Sequence, residues 1–224
     1  MVVKEFCADE LRDLEKAVET DITRIELCSD LSIGGVQVSE DVLKRALETC
    51  HAKGKKVYAM VRNRGGNFFY NDVDLVSMEE FAVMATDLGA DGLVFGPLKE
   101  VSSENDSTHT QIAVELEAIL RMKTQLLVKC GRIPELVFHM AFDLIGDQER
   151  AVEELIEQGY IRILTHGTTD GAIDTNHIKE VVDLASGRIE IMAGGGVNFS
   201  NLDQILTRSS ADSVHGTQIV QLSH

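Results

Sequence analysis

IRILTHGTTDGAIDTNHIKEVVDLASGRIEIMAGGG, residues 161–196, is one complete strand–helix–strand unit. The β-branched run Ile161–Thr165 predicts a strand. Ile178, Val181, Val182 and Ala185 then recur at helical spacing, and Ile189–Ala193 reads as a second strand. A helix between two strands makes them parallel, and the crossover right-handed. Outward in both directions the alternation repeats. Further candidate strands are Val2–Cys7, Thr23–Cys28, Lys56–Arg62, Asp91–Phe95, Glu135–His139 and Asp212–His215. Helical stripes run through Leu11, Leu14, Ala17 and Val18, and through Val42, Leu43, Ala46, Leu47 and Cys50 behind a Ser39 N-cap. Ser77 and Glu80 fit a capping box ahead of Phe81, Met84, Ala85 and Leu88, with Gly89 closing the helix. Ile112, Leu116, Ile119 and Leu120 form another stripe, Val152, Leu155 and Ile156 end at Gly159, and Leu202, Ile205 and Leu206 come last.

Eight strands in 224 residues average 28 residues per unit. That length fits a small single-domain α/β chain, residues 1–224, folded as a (β/α)8 TIM barrel. An open doubly wound sheet would carry a glycine-rich turn after its first strand, and Cys7-Ala8-Asp9-Glu10 has no glycine. Only nine residues follow His215, so a last helix is short or missing. A flank left open there is a place for a second copy of the chain in a homodimer or higher homo-oligomer.

Composition restricts the partners. Lys and Arg total 21 against 37 Asp and Glu, a formal net charge of −16. This balance disfavours nucleic acid, whose phosphates need clustered cations, and anionic membrane surfaces. No apolar run approaches the roughly 18 residues of a membrane span. The start MVVKEFCADE has acidic residues where a secretory leader needs an apolar stretch, so a cytoplasmic chain with reduced thiols is expected. Cys7, Cys28, Cys50 and Cys130 form no C-x-x-C pair, which weakens zinc-ribbon and thioredoxin readings.

Chemistry in such a barrel gathers at the C-terminal ends of the strands. Period-two alternation places Glu5 and Cys7 on one face of the first strand, and Glu26 and Cys28 on one face of the second. Buried charges must pair, so Glu5, Glu26 and Arg62 either compensate one another or form a functional cluster. His139, at a strand end, is either a satisfied core histidine or a proton-transfer group. Glu26, His139 and Arg62 are the catalytic candidates. Arg62 and Arg64, beside Gly65-Gly66, and the backbone of Gly194, Gly195, Gly196 and Gly216 are candidates for anchoring a small anionic molecule. Asn198 or Ser200 would cap the helix after the triple glycine. Cys7 and Cys28 are either small buried apolar groups or soft metal ligands. Barrel shear staggers neighbouring strands, which is expected to set the two sulfurs on a diagonal and too far apart to share an ion. No lysine ends the candidate strands at 135–139, 161–165 or 189–193, which disfavours a Schiff-base aldolase. H-E-x-x-H, G-x-S-x-G, Walker and G-x-G-x-x-G motifs are absent.

The segments Glu5-Phe6-Cys7, Arg24-Ile25-Glu26-Leu27-Cys28 with Gly34-Gly35, and Arg62 through Asp72 resemble the CutC family of copper homeostasis proteins. So do Asp91 through Gly96, Phe138 through Asp143, Ile163 through Gly167, Ile191 through Val197, and Val214-His215. The resemblance implies a cytoplasmic barrel linked to copper, with Cys7 and Cys28 as Cu(I) ligands. The chain departs from that pattern at Asn63, where the family usually has Pro, and at Asn67, where it has Asp. Met140 stands in place of Arg and His166 in place of Ser, and family members generally continue further past His215. Two readings therefore stand side by side: Cu(I) binding by thiolates at the barrel mouth, and an enzyme that moves protons with Glu26 or His139 on a small anionic or phosphorylated molecule.

Overall fold

The computed structural model describes residues 2–102 and 110–222. Its barrel strands are β1 (Val3–Asp9), β2 (Arg24–Cys28), β3 (Lys56–Met60) and β4 (Gly92–Val94). A two-stranded antiparallel hairpin follows, β5 (Leu98–Ser102) and β6 (Thr110–Val114). The barrel resumes with β7 (Glu135–Phe138), β8 (Tyr160–Thr165), β9 (Glu190–Ala193) and β10 (Ser213–Gly216). The eight barrel strands are parallel and close in chain order, β10 pairing with β1 through Val3↔Ser213 to Phe6↔Gly216. The helices are α1 (Leu14–Ala17), α2 (Glu40–His51), α3 (Asp72–Asp87), α4 (Leu116–Cys130), α5 (Gln148–Glu157), α6 (Thr175–Ala185) and α7 (Leu202–Ser209). Among the described residues no helix follows β10, and none of the helices is long and apolar enough to cross a membrane.

Alternation divides each strand between two cores. Phe6, Ala8, Ile25, Leu27, Val57, Ala59, Ile163 and Ile191 pack outward in the main hydrophobic cluster with the helices' apolar faces. Inside the barrel, Cys7, Cys28, Tyr58, Met60, Val94 and Val137 form a second, smaller cluster. The deepest interior layer is charged. Arg24 donates to Glu5 at 2.7 Å and to Ser213 at 2.9 Å, and it also pairs with Glu190. Arg162 donates to Glu190 at 2.9 Å and to Glu5 at 3.4 Å, with its guanidinium 4.8 Å from the Tyr58 ring centre. Within this layer each charge has an opposite partner, as a low-dielectric interior requires. Glu5 is thus compensated by Arg24 and Arg162, not by Arg62.

Several local expectations change. The α3 capping box is Asn71 with Asp74, so Ser77 and Glu80 lie inside the helix. Ile112 belongs to β6, not to the helix of Leu116 and Ile119, and Leu120 is exposed. The helix after the triple glycine begins at Leu202. Asn198 and Ser200 instead build the turn before it, the Ser200 amide donating to Asn198 Oδ1 at 2.9 Å. Ser39 caps α2 as expected, accepting from the Val42 amide.

Candidate functional site

Three strands bring the thiols and a carboxylate together. In register Cys7 lies opposite Glu26, and Asp9 opposite Cys28, so the two cysteines are diagonal neighbours across β1 and β2. Their sulfurs nevertheless converge to 3.9 Å inside the barrel, and both residues are buried. The Cys7 thiol donates to Glu26 Oε1 at 3.8 Å, and the Cys28 thiol to the Ala8 carbonyl at 3.4 Å. His215 enters from β10, with Nε2 3.9 Å from Glu26 Oε1 and Nδ1 2.9 Å from Glu5 Oε1. Ligand atoms of Cys7, Glu26 and His215 all lie within 4.8 Å of one another. Glu26 Oε2 is buried without a hydrogen-bond partner among the described residues.

The electrostatics follow from burial and neighbours. The Cys28 hydrogen bond, burial and the Glu26 charge hold the Cys7 thiol well above its ordinary range. Burial, offset in part by His215 and reinforced by Glu5, raises Glu26 to about 7. Burial would also raise Glu5, but the His215 hydrogen bond, Arg24 and Arg162 outweigh it and bring it to about 2. Glu5 is therefore a fixed carboxylate, whereas the Cys7 thiol beside it keeps its proton and Glu26 titrates near neutrality.

The loop after β2 covers these thiols. Leu31 packs on the inner cluster, and a Cβ at Gly35 would lie 3.3 Å from Cys28 Sγ, so the backbone there runs close over the sulfur. Gly34 and Gly35 both have positive φ, a conformation that L side chains rarely adopt. Arg62 holds this loop in place. Its guanidinium donates to the carbonyls of Ile33 at 3.1 Å, Gly35 at 2.9 Å and Gly66 at 2.8 Å, and it stacks on Phe68.

Arg62 and His139 make a second group with Phe68 between them. The Phe68 and His139 ring centres are 4.9 Å apart, and the Arg62 guanidinium is 4.8 Å from Phe68. His139 is fully buried, and its Nδ1 accepts from the Ala141 amide at 3.2 Å. Burial and the Arg62 charge push its pKa down to about 3, so the ring is neutral. Glu26 belongs to the thiol cluster and does not share this group. Arg64 is turned inward on its own loop, pairing with Asp74 at 3.0 Å and donating to the Phe69 carbonyl at 2.7 Å. Both arginines thus hold protein carbonyls and a carboxylate that an incoming anion would have to displace.

Gly194, Gly195 and Gly196 follow β9 beside His166, where a Cβ on Gly194 would meet Leu164 at 2.8 Å and His166 at 3.0 Å. At Gly216 a Cβ would meet the Val197 carbonyl at 2.4 Å. These contacts explain Gly194 and Gly216 by close packing, whereas Gly195 and Gly196 take positive φ. Asp143 completes this side. It accepts from the Thr165 hydroxyl and from the amides of His166 at 2.9 Å and Gly167 at 3.3 Å, and it lines a cavity of about 340 Å³ with Phe68, Met140 and His166.

Sequence reasoning singled out Cys7, Glu26 and Cys28, which converge. It left His215 unassigned, because a strand-end histidine gives no local sign of which first-strand residue it faces.

The family model described as the CutC family matches residues 2–220. The family protein CutC of Streptococcus pyogenes serotype M6 is 39% identical over 224 residues, 98% of this chain and 100% of its own length. The human copper homeostasis protein cutC homolog is 35% identical over 212 residues, 94% of this chain and 71% of its own. The solved CutC structure from Streptococcus agalactiae superposes with a TM-score of 0.87 at 40% identity, covering 98% of this chain and all of that one. Identity at this level over essentially the full length, on the same closed barrel, places the chain in the CutC family.

Proposed function

We propose that this chain is a cytosolic copper-homeostasis protein that binds Cu(I) through the thiolates of Cys7 and Cys28. The observation that carries the reading is the 3.9 Å separation of the two buried sulfurs. Two sulfurs bound at about 2.3 Å to one ion, in trigonal or tetrahedral array, lie about 3.8–4.0 Å apart. The pair is also poorly placed to oxidise. A two-residue offset between adjacent strands puts the Cα atoms roughly 8 Å apart, beyond the span of a disulfide without backbone movement. Soft thiolates in a dry, Met-lined interior suit a monovalent soft ion. Met60 and Leu31 supply that lining. Cu(I) plus two thiols yields a bis-thiolate complex and two protons, and Glu26, already accepting from Cys7, is the adjacent base for one of them. A relative described as a copper homeostasis protein supports the same direction.

Anaerobic Cu(I) titration against a competing chelator tests this. Saturation at one ion per chain is expected. Cys7→Ser and Cys28→Ser should each weaken binding by more than the roughly 10–100-fold that loss of a mere supporting group costs. Cys50→Ser, buried in the outer core, should leave it unchanged. Equal affinity in all four proteins would remove the thiolate site.

A further inference from the structure

We infer that the outer face of α3 and α4 is a two-fold interface with a second copy of this chain, α3 of each copy lying on α4 of the other. Among the described residues, large apolar side chains are exposed at few places, and most of those places adjoin. Val73, Val76, Leu120, Leu127 and Val128 lie on these two helices, whereas Ile33, Ile161 and Phe199 lie on other elements. Val73 is 78% exposed and Val128 72%, more than any other large apolar side chain among the described residues. Exposed apolar residues standing singly are ordinary, but a cluster on adjacent elements marks an interaction surface.

Helical spacing sets the cluster on one face. Leu120, Leu127 and Val128 recur at i, i+7 and i+8 on α4, opposite the buried Ala118, Met122 and Leu126. Val73 and Val76 recur at i and i+3 on α3, opposite the buried Met78, Ala82 and Ala85. The two helices run side by side in the same direction. Arg121, in the second turn of α4, pairs at 2.8 Å with Asp72 at the start of α3. The Cys130 thiol, at the end of α4, donates to the Val83 carbonyl at 3.7 Å. Between the helices is a cleft of about 500 Å³, with Val76, Glu80 and Val83 on one wall and Arg121, Gln125 and Lys129 on the other.

Charge selects the occupant and the symmetry. α3 carries five carboxylates and no cation, whereas α4 carries three cations and one carboxylate. A two-fold axis across the helices would set α3 on α3 and oppose like charges. An axis along the cleft sets α3 on α4 twice, so each acidic column meets a basic one and Val73 and Val76 meet Leu120 at the same level. Glu80 and Lys129 are exposed and have no ion-pair partner among the described residues, and this axis brings them together. Helices of 16 and 15 residues, at about 1.5 Å per residue and about 10 Å apart, give a footprint of roughly 450 Å² on each copy. A total of about 900 Å² is at the low end of specific interfaces, so the dimer should dissociate at micromolar concentration. The flank after β10, the other place for a second copy, is filled by the chain itself, with Ile219 and Val220 buried in the main cluster.

Sedimentation of the full chain from about 1 to about 200 µM tests the interface. A monomer–dimer equilibrium is expected in wild type. Val128→Asp should weaken it by at least about tenfold, whereas Phe199→Asp, on the flank beside Val220, should leave it unchanged. Glu80→Lys and Lys129→Glu should each weaken the dimer, and the two together should restore it. All four positions are exposed, so the far-ultraviolet dichroism of the barrel should be retained in each variant. A wild-type monomer throughout the range would overturn the interface, and so would a dimer that Val128→Asp leaves intact. A double reversal that does not recover the dimer would overturn the placement of α3 on α4.

Discussion

Replacing His139 with Asn separates two effects that a single stability value would mix. His139 is fully buried between Phe68 and Phe138, with ring centres 4.9 and 5.9 Å away. Burial and the Arg62 charge depress its pKa from 6.5 to about 3. In the unfolded chain the ring takes up a proton below its ordinary value, while in the folded chain it stays neutral. The folded state is therefore favoured above about pH 6.5, and that contribution is lost as the pH falls toward 3. At about 1.4 kcal/mol per pH unit the ceiling on the loss is about 5 kcal/mol. Asn does not titrate, and its Oδ1 can still accept from the Ala141 amide as a helix N-cap does. It also leaves a smaller group in the aromatic cage, which shifts the whole curve down by about 1–3 kcal/mol. Urea denaturation at a series of pH values reads both effects. The wild-type curve should fall more steeply than that of His139→Asn between about pH 6 and 4, by one proton's worth of slope. Parallel curves would refute the neutral buried imidazole. So would a His139 ring resonance that titrates near 6.5.

Two further outcomes follow from the packing. Gly92→Ala would drive a Cβ to 2.3 Å from the Tyr58 ring and 2.8 Å from the Glu135 carbonyl, so a loss of about 2–3 kcal/mol is expected in denaturant unfolding. Gly146→Ala, with nothing within 4 Å, should be neutral or slightly stabilising, and equal effects in the two would discredit the packing argument. Arg24→Met strips Glu5 and Glu190 of one of their two shared partners and should cost about 3–5 kcal/mol, whereas a change under about 1 kcal/mol would mean that Arg162 alone compensates both.

The barrel was legible because parallel strands with crossover helices leave an alternation that survives local noise. The units at 161–196 have clear strand cores in Ile163 and Ile191 and an apolar stripe in Ile178 and Val181, all buried. The β5–β6 hairpin was not legible. It has only Leu98 and Val114 as buried positions, with Lys99, Glu100 and Gln111 between them, so it carries no apolar alternation. At the site, alternation alone placed Glu5 with Cys7, and Glu26 with Cys28, on one face of each strand, and the closed barrel turns those faces inward. Which inward residues meet is a matter of register, and the pairing of Glu5 with His215 joins positions 210 apart in sequence. Shear set the sulfurs on a diagonal, as expected, but the expectation that this keeps them too far apart to share an ion fails, because side-chain direction brings them to 3.9 Å. The arginines at 62 and 64 read as free anion clamps because the carbonyls that occupy them lie on loops whose course no local pattern specifies.

The central claim is that one Cu(I) sits between two particular sulfur atoms. Diffraction from crystals grown anaerobically with one equivalent of Cu(I), recorded on either side of the copper absorption edge, locates the ion without reliance on any variant. A single anomalous peak within bonding distance of both Cys7 Sγ and Cys28 Sγ is the predicted result. A peak elsewhere, at Cys130 or on the acidic surface, with the two interior sulfurs bare, would contradict it.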